Sequence, residues 1–365
     1  MADDLRVTSP YLDVLEAQRA ALVRALGPVV TADDIDSAHR ESARLSVRLD
    51  ASPLEDETAD AVERGDLAGP GGTTAVRVDS GWAAALRLDG LPTQEIAAIE
   101  YRGVRAAQAQ EPALADAFFS TPVETLARAQ RAIASGLVAG DRLGGLRRTS
   151  RAVHDGAQGR VIFHAPPPDR LPDLLVDLDT WVRAARTRYS PLVVAGVVHA
   201  RVLQWRPFEA GNGRVARIAS RVALRATGGD PWGLAVPERH YARDPLRYAT
   251  EIAATGRRGG DLRPWNARTG EAIIAGLERW ARCHDLAPDA VDARAVGVCR
   301  ALHPLDTVTV RELAAAAELD TATAVVQANR LCWMGLLRRD QGTQGLRYVR
   351  RADDVSVRAG RPHSN

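Results

Sequence analysis

Lysine is absent from this sequence, so all 48 residues counted as Lys or Arg are arginines. Together with frequent Ala and Gly, this predicts a GC-rich, bacterial coding sequence. The presence of arginine at a given position is then no evidence that its bidentate hydrogen-bonding geometry was selected over lysine. Cysteine is scarce: Cys283, Cys299 and Cys332 form no CxxC pair, which argues against a disulfide framework or a zinc knuckle. An excess of one charge is also lacking, because 46 acidic residues leave a net charge of +2. This balance does not favour a bulk polyanion binder.

Long apolar runs are missing as well. The run from Leu192 to Val198 is far too short to span a bilayer, and Met1 to Pro10 is acidic and polar, with no signal-peptide core. We therefore expect no membrane partner and a reducing, cytoplasmic compartment. The chain has 365 residues, of which 45% are hydrophobic and 26% charged. These are ordinary globular values, and the length predicts about two or three domains.

Helical spacing dominates the chain, which predicts a mainly α fold. Residues 1–120 are expected to be a helical N-terminal region, with Leu12, Leu15, Leu22 and Leu26 at helical spacing and Thr31 as a helix N-cap. Residues 121–285 are expected to form a second, mostly helical region. Within it, Val161-Ile162-Phe163 predicts a short strand, and Pro166-Pro167-Pro168 a rigid exit from it.

Residues 290–351 follow a different order of elements. Val291 to Leu302, Arg311 to Leu319 and Thr321 to Leu337 have helical patterns, and a hairpin is expected around Asp340-Gln-Gly-Thr-Gln-Gly. This order predicts a C-terminal winged helix-turn-helix. The tail, residues 352–365, is expected to be disordered.

The densest local signal is Arg206-Pro-Phe-Glu-Ala-Gly-Asn-Gly-Arg-Val-Ala-Arg217. Gly211, Asn212 and Gly213 tolerate positive φ, and successive amides in such a turn can form a nest for an anion. The turn opens a helix, whose N-terminus favours negative charge. Arg214 and Arg217 are about one helical turn apart, so both can face one phosphate. The alternative is an ordinary Gly-Asn turn with two solvated arginines.

This segment resembles the signature of the Fic (Fido) family, H-P-F-x-[D/E]-G-N-G-R-x-x-R. The resemblance implies a helical Fic core with a short β-hairpin flap, and a transfer of AMP from a nucleotide to a protein hydroxyl. It further implies nucleotide or phosphate binding by Gly211, Asn212, Gly213, Arg214 and Arg217. The flap, where a target protein would bind, is expected at Val161, Ile162, Phe163 and His164.

Two departures from the signature concern catalysis. Arg206 stands where the family has the histidine that takes the proton from the target hydroxyl, and a guanidinium cannot act as a general base at neutral pH. Ala210 stands where the family has the acidic residue that holds a divalent metal, which makes Mg²⁺ binding doubtful. Glu209 is its neighbour, one residue early. The sequence therefore predicts a catalytically impaired protein that binds ATP or another nucleotide.

A third departure concerns regulation. Many Fic proteins carry an inhibitory helix with the pattern [S/T]-x-x-x-E-[G/N], whose Glu pairs with the second motif arginine. Ser46-Val-Arg-Leu-Asp50-Ala51 is the comparable stretch, with Ser46 and Asp50 as its candidate residues and Asp in place of Glu. The alternative is an ordinary amphipathic helix.

Three functions stay open from the sequence. The first is an impaired Fic protein that binds a nucleotide and is regulatory through its winged helix. The second is an active nucleotidyltransferase with non-standard residues. The third is a DNA-binding regulator in which the Fic core is only a scaffold and residues 290–351 contact DNA, with Gln327, Asn329 and Arg330 as the base-reading residue types. His199 is a candidate substitute base, but we expect it to be a packing residue of the helix before the motif.

Overall fold

The computed structural model describes residues 6–66, 93–154, 160–258, 260–284, 286, 292–333, 336–342 and 345–351. The chain divides into two compact units, Met1–Trp280 and Ala281–Asn365. Each unit is described by itself.

The first unit is a bundle of helices. In chain order they are α1 Pro10–Leu26, α2 Ala32–Leu49, α3 Asp56–Arg64, α4 Thr93–Ala109, α5 Glu111–Ala117, α6 Pro122–Ala134, α7 Leu171–Ala185, α8 Pro191–Trp205, α9 Asn212–Ala226, α10 Glu238–Tyr241, α11 Pro245–Arg257 and α12 Arg263–Cys283.

Helices α8 and α9 form the centre of this unit. Every residue of α9 from Asn212 to Leu224 is buried, and this helix packs against α2, α4, α5, α6 and α8. Helix α8 is apolar on nearly all sides, as a fully surrounded helix must be. The N-terminus of α9 is thereby fixed within the bundle.

A two-stranded hairpin interrupts the helices. Strands β1 (Ala152–His154) and β2 (Val161–His164) pair antiparallel, with Val153 opposite Phe163, and β2 packs against α11. A mainly helical fold with a small hairpin is therefore confirmed.

The start of α2 shows how local sequence fixes a helix end. Thr31 Oγ1 accepts a hydrogen bond from the Asp34 backbone N–H at 3.2 Å, and Asp34 Oδ2 accepts from the Thr31 N–H at 2.8 Å. This reciprocal capping box satisfies two backbone donors that a helix start leaves free. The N-cap predicted at Thr31 is confirmed.

The second unit combines three helices with a three-stranded sheet. Its elements are α13 Ala293–Ala301, β3 Thr307–Val308, α14 Val310–Ala316, α15 Thr321–Trp333, β4 Leu337–Gly342 and β5 Gly345–Arg350, with the strands in the order β3-β5-β4. Buried residues from all three helices and all three strands form its core, among them Cys299, Leu313, Leu331 and Tyr348.

The expected end of the last helix in this unit was wrong. The helix predicted to run to Leu337 ends at Trp333, and Leu337 instead begins β4, opposite Arg350. An apolar residue every third or fourth position looks the same at the end of a helix as at the start of a buried strand. The winged-helix interpretation of residues 290–351 stays a prediction, and the tail 352–365 lies outside the described residues.

Candidate functional site

The site is built on the turn between α8 and α9. Arg206 ends α8 in the left-handed conformation, with φ 44° and ψ 59°, and Gly211, with φ 75°, caps the start of α9. Between them, Phe208 and Asn212 bond reciprocally: the Phe208 N–H donates to Asn212 Oδ1 at 2.9 Å, and Asn212 Nδ2 donates to the Phe208 carbonyl at 2.8 Å. The amide side chain of Asn212 therefore holds the turn in shape.

Arg147 links this turn by hydrogen bonds to the residues on either side of the hairpin. The Arg147 side chain is buried and donates to the carbonyl oxygens of Arg206 at 2.7 Å, Thr149 at 2.7 Å and Trp205 at 3.2 Å, and also to the Pro166 carbonyl. Pro166 follows the predicted flap, so one guanidinium joins the motif turn to the end of the flap. The residue pattern alone gave no reason to single out Arg147.

The Asp50 carboxylate lies directly on the start of α9. A Cβ built on Gly213 would come within 2.2 Å of Asp50 Oδ1, so only glycine permits this approach. Asp50 Oδ1 is 2.9 Å from Arg217 Nη2, and Asp50 Oδ2 is 3.4 Å from Arg214 Nε. A carboxylate from the end of α2 thus occupies the place where the turn, the helix N-terminus and two arginines favour an anion.

Ser46, one turn earlier on α2, completes the contact with Arg217. Arg217 Nε donates to Ser46 Oγ at 2.7 Å, and Arg217 Nη2 donates to the Ser46 carbonyl at 2.6 Å. The two residues that the sequence put forward as candidates for an inhibitory helix, Ser46 and Asp50, therefore both contact the second motif arginine.

The charges in this cluster stabilise one another. Burial alone would raise the pKa of the Asp50 carboxyl, but the Arg217 and Arg214 guanidinium groups more than offset it and hold that pKa below its ordinary value. Burial alone would lower the pKa of Arg217, whereas the charge of Asp50 keeps it raised. Asp50 is therefore ionised at neutral pH.

Glu100, on α4, is a site residue that the sequence did not reveal. Glu100 Oε1 is 2.9 Å from Arg214 Nη2, and both side chains are almost fully buried, with 3% and 4% of their surface exposed. Burial raises the pKa of Glu100, and Arg214 partly offsets the shift. Because Glu100 lies far from Arg214 along the chain and within an ordinary helical pattern, no local signal could have found it.

Arg206 adds a third cation to the site. Burial lowers the pKa of Arg206, and the negative charge of Asp50 partly offsets this effect, so the charges of these two side chains act on each other. An arginine nevertheless stays protonated in proteins. Arg206 Nε and Arg214 Nη1 are buried without a hydrogen-bond partner among the described residues. The site thus has cationic donors that its own acidic residues do not use.

The two candidate metal-ligand positions, Ala210 and Glu209, make other contacts. Ala210 is buried in a small apolar cluster with Ala134, Val138 and the partly buried Leu143. The Glu209 carboxylate lies 2.8 Å from Arg142 Nη2. Among the described residues, no group of three or more His, Cys, Asp or Glu is placed to hold a metal ion. The residues at this turn do not fit the divalent cation that the family signature implies.

His199, on the helix α8 that leads into the turn, lies in an aromatic cluster. His199 Nε2 is 2.8 Å from the Tyr248 hydroxyl, and the imidazole ring contacts Tyr241 and Trp265. Burial, and then the charge of Arg217, lowers the pKa of His199 to about 3, so the imidazole is neutral at physiological pH. These surroundings are those of a packing residue.

The flap candidates lie on β2, whose two end residues are more exposed than its two central residues. Val161 and His164 are exposed, whereas Ile162 and Phe163 are half-buried. Arg151, just before β1, donates to the Glu209 carbonyl at 2.9 Å. The hairpin is thereby attached to the motif turn at both of its ends, through Arg151 and through Arg147.

In the second unit, two of the three base-reading candidates on α15 bond internally. Gln327 Oε1 accepts from the Asp292 N–H at 2.9 Å. Asn329 Oδ1 accepts from Arg339 Nε at 3.2 Å and from the Tyr348 hydroxyl at 3.2 Å. Both side chains are buried, and the side chain of Arg330 is half-buried. DNA contact through residues 290–351 stays a prediction.

Comparison with solved structures agrees with this architecture. A Fic family protein from Desulfovibrio desulfuricans G20 superposes with a TM-score of 0.59 and 22% sequence identity, over 95% of this chain and 97% of that one. Fic-1 from C. elegans superposes with a TM-score of 0.55 and 14% identity, over 76% of this chain and 74% of that one. The chain therefore has the helical Fic fold.

Sequence comparison places the family domain on the turn described above. Residues 120–224 match the Fic/DOC family. Two proteins named protein adenylyltransferase Fic, from Aedes aegypti and Culex quinquefasciatus, are 29% and 30% identical over 104 residues, which is 28% of this chain. The match spans only 19% of the length of each of these curated relatives. Residues 120–224 are thus a Fic/DOC family domain, which contains the hairpin, α8, the Gly-rich turn and most of α9.

None of the helices in the described part of the chain is both long enough and apolar enough to cross a membrane.

Proposed function

We propose that this chain binds a nucleotide, with ATP as the leading candidate, through its phosphates at the start of α9, and that it is impaired as an AMP transferase. One observation carries the proposal: the Asp50 carboxylate lies against Gly213 and forms ion pairs with Arg214 and Arg217. A negative group of the chain already lies where a phosphate would bind. Helix N-termini and arginine pairs stabilise phosphates by the same means.

The impairment follows from Arg206 and Ala210. Proton transfer by a positioned base contributes about 10²–10⁴-fold to a rate, and Arg206 cannot supply it. Ala210 lies in apolar surroundings and Glu209 pairs with Arg142, so neither of these two positions offers a free carboxylate to hold a metal against the phosphates. The matching relatives are named protein adenylyltransferases. For this chain, adenylyltransferase activity is the alternative proposal. A target protein would then bind at strand β2.

Regulation by α2 is the second part of the proposal. While Asp50 bonds to Arg217, it excludes a phosphate from that arginine. The helix that carries Ser46 and Asp50 is thus an inhibitory element, and ligand binding requires the end of α2 to move away. A role for residues 290–351 in relaying that change, to DNA or to another protein, extends this proposal.

The experiment combines label transfer with direct binding. Wild-type protein, Asp50→Ala and Arg206→His/Ala210→Asp are incubated with α-labelled ATP, Mg²⁺ and cell lysate, and ATP binding is measured by calorimetry in phosphate-free buffer. We expect no transfer by the wild type, and binding that is at least about tenfold tighter in Asp50→Ala, because one competing charge-assisted bond is gone.

Asp179→Ala is the matched control, since Asp179 pairs with Arg183 on the surface of α7 and should not alter binding. Label transfer by the wild type would overturn the impairment and require another base. Absence of ATP binding in both the wild type and Asp50→Ala would overturn the nucleotide proposal.

A further inference from the structure

The charge around the turn is unusual for a site that would hold a metal–nucleotide complex. Arg214 and Arg217 pair with Asp50 directly, Arg214 also pairs with Glu100, and the charge of Arg206 acts on Asp50 as well. A divalent cation bound with a nucleotide would add further positive charge to this cluster. Three guanidinium groups favour an anion whose negative charge is not partly neutralised by a bound cation.

Unused donors in the cluster point to a ligand richer in acceptors than a carboxylate. Arg214 has only 4% of its side chain exposed, and its Nη1 has no hydrogen-bond partner among the described residues. Arg206 Nε is buried and equally without a partner there. A buried cationic donor that is left unpaired costs free energy, and an anion with several oxygens carries acceptors for such donors.

The positions that would hold a metal are committed to other contacts. Ala210 packs in the apolar cluster with Ala134 and Val138, and Glu209 pairs with Arg142. Neither of these two positions therefore offers an incoming polyphosphate a carboxylate with which to share a cation.

We infer that the turn at the start of α9 binds a polyphosphate chain free of a divalent cation, with the Arg206 guanidinium supplying the positive charge that a metal would otherwise bring. The ligand class is a nucleoside diphosphate or triphosphate in its metal-free form, or pyrophosphate. This inference rests on the proposed nucleotide site, and specifies the ionic form in which that site takes its ligand.

The test measures ATP and pyrophosphate binding by calorimetry on the full chain with Asp50→Ala, once with EDTA and once with excess Mg²⁺. Asp50→Asn is measured in parallel, because this nearly isosteric change keeps a hydrogen-bond acceptor for Arg217 should the alanine variant fold poorly. We expect binding in EDTA, and at least about tenfold weaker binding with Mg²⁺, since the cation neutralises the charge that the arginines recognise.

A second comparison assigns the effect to Arg206. Adding Arg206→Ala should weaken metal-free binding by about tenfold or more, the loss expected for one charge-assisted contact. Arg183→Ala, which removes a surface arginine paired with Asp179, should leave binding unchanged. Pyrophosphate should follow the same order as ATP if the contacts are to the phosphates.

The outcomes separate this inference from the proposed function. Binding that requires Mg²⁺, or that Mg²⁺ strengthens, would overturn the metal-free inference and leave the nucleotide site intact. Equal binding by Arg206→Ala would overturn the role of Arg206. Binding in neither condition by either Asp50 variant would overturn both.

Discussion

Asp50 is the residue on which the present state of the site depends. Its side chain is only 25% exposed, and it contacts both motif arginines while lying against the backbone of Gly213. Removing it would leave two buried guanidinium groups without their shared partner, which is costly. The same contact stabilises the folded chain and blocks the proposed ligand.

The pH dependence of this contact has a definite sign. Because the pKa of Asp50 is lowered in the folded state, its stabilising contribution is fully present above the unfolded pKa of about 3.9 and is lost as the pH falls through the folded pKa. We expect wild type to exceed Asp50→Asn in free energy of unfolding by about 1–3 kcal/mol, unchanged from pH 5 to pH 8. Urea denaturation across this range, and then below pH 4 where the two should converge, measures the difference. A gap that closes between pH 6 and pH 8 would contradict this assignment.

Ala210 gives a prediction about repairing the motif. Ala210→Asp would place a carboxylate among Ala134, Val138 and Leu143, where nothing in the cluster can pair with it. We expect a loss of about 1–3 kcal/mol in the free energy of unfolding, measured by urea denaturation at pH 7. Ala21→Asp, at an exposed position of α1, is the control and should change stability far less. Equal effects of the two substitutions would show that Ala210 is not enclosed as described.

At the scale of elements, the end of α2 explains part of the family pattern. The pattern has Gly or Asn after the inhibitory acid, and here Ala51 occupies that place with φ 64°. This left-handed conformation suits Gly and Asn and strains alanine. The position of Asp50 is therefore held against a local backbone preference.

Ala51→Gly should relieve that strain. We expect the free energy of unfolding to rise by about 0.5–1 kcal/mol and ATP binding to weaken, because α2 would hold Asp50 more firmly in place. Thermal unfolding and calorimetry measure the two effects. Ala21→Gly, in the interior of α1, should instead destabilise the protein by a similar amount. A destabilised Ala51→Gly protein would show that this backbone conformation costs nothing.

Asn329 provides the corresponding prediction for the second unit. Because its Oδ1 accepts from both Arg339 and Tyr348, Asn329→Ala should lower the free energy of unfolding by about 1–3 kcal/mol. Denaturation of the full chain, followed by a signal from Tyr348 and the surrounding unit, measures this. Thr321→Ala, at an exposed position of α15, should be close to neutral. If Asn329→Ala kept full stability but abolished a salt-dependent DNA shift, Asn329 would be a DNA contact and not a core residue.

What the sequence could predict follows the range of the interactions. The Gly-rich turn, the helix after it and the cap at Thr31 depend on neighbouring residues, and a local pattern is enough to find them. The contacts of Glu100 with Arg214, and of Arg147 with the turn, join distant segments, so no periodicity marks them. Ser46 and Asp50 were found only because a known signature pairs such residues with the second motif arginine.

At the scale of the whole first unit, α9 connects several helices through one stripe of arginines. Arg214, Arg217 and Arg221 lie on one side of α9, and each pairs with an acid from a different helix: Glu100 on α4, Asp50 on α2 and Glu111 on α5. A ligand at the start of α9 would compete with the first two acids, whereas Arg221 and Glu111 lie deeper in the bundle. The expected change is therefore confined to the end of α2 and to the middle of α4, around Glu100.

The contacts of Asp50 with Arg214 and Arg217 also set the concentration range in which a ligand can bind. A carboxylate tethered at the end of α2 competes with every free anion as if it were present at a high effective concentration. The apparent dissociation constant of the ligand is then its intrinsic dissociation constant divided by the fraction of molecules in which Asp50 no longer contacts Arg214 and Arg217. Weak or scarce anions would leave such a protein unchanged, and an abundant polyphosphate would occupy it. In the proposed function, one aspartate thus sets the ligand concentration at which the arginines of this site become occupied.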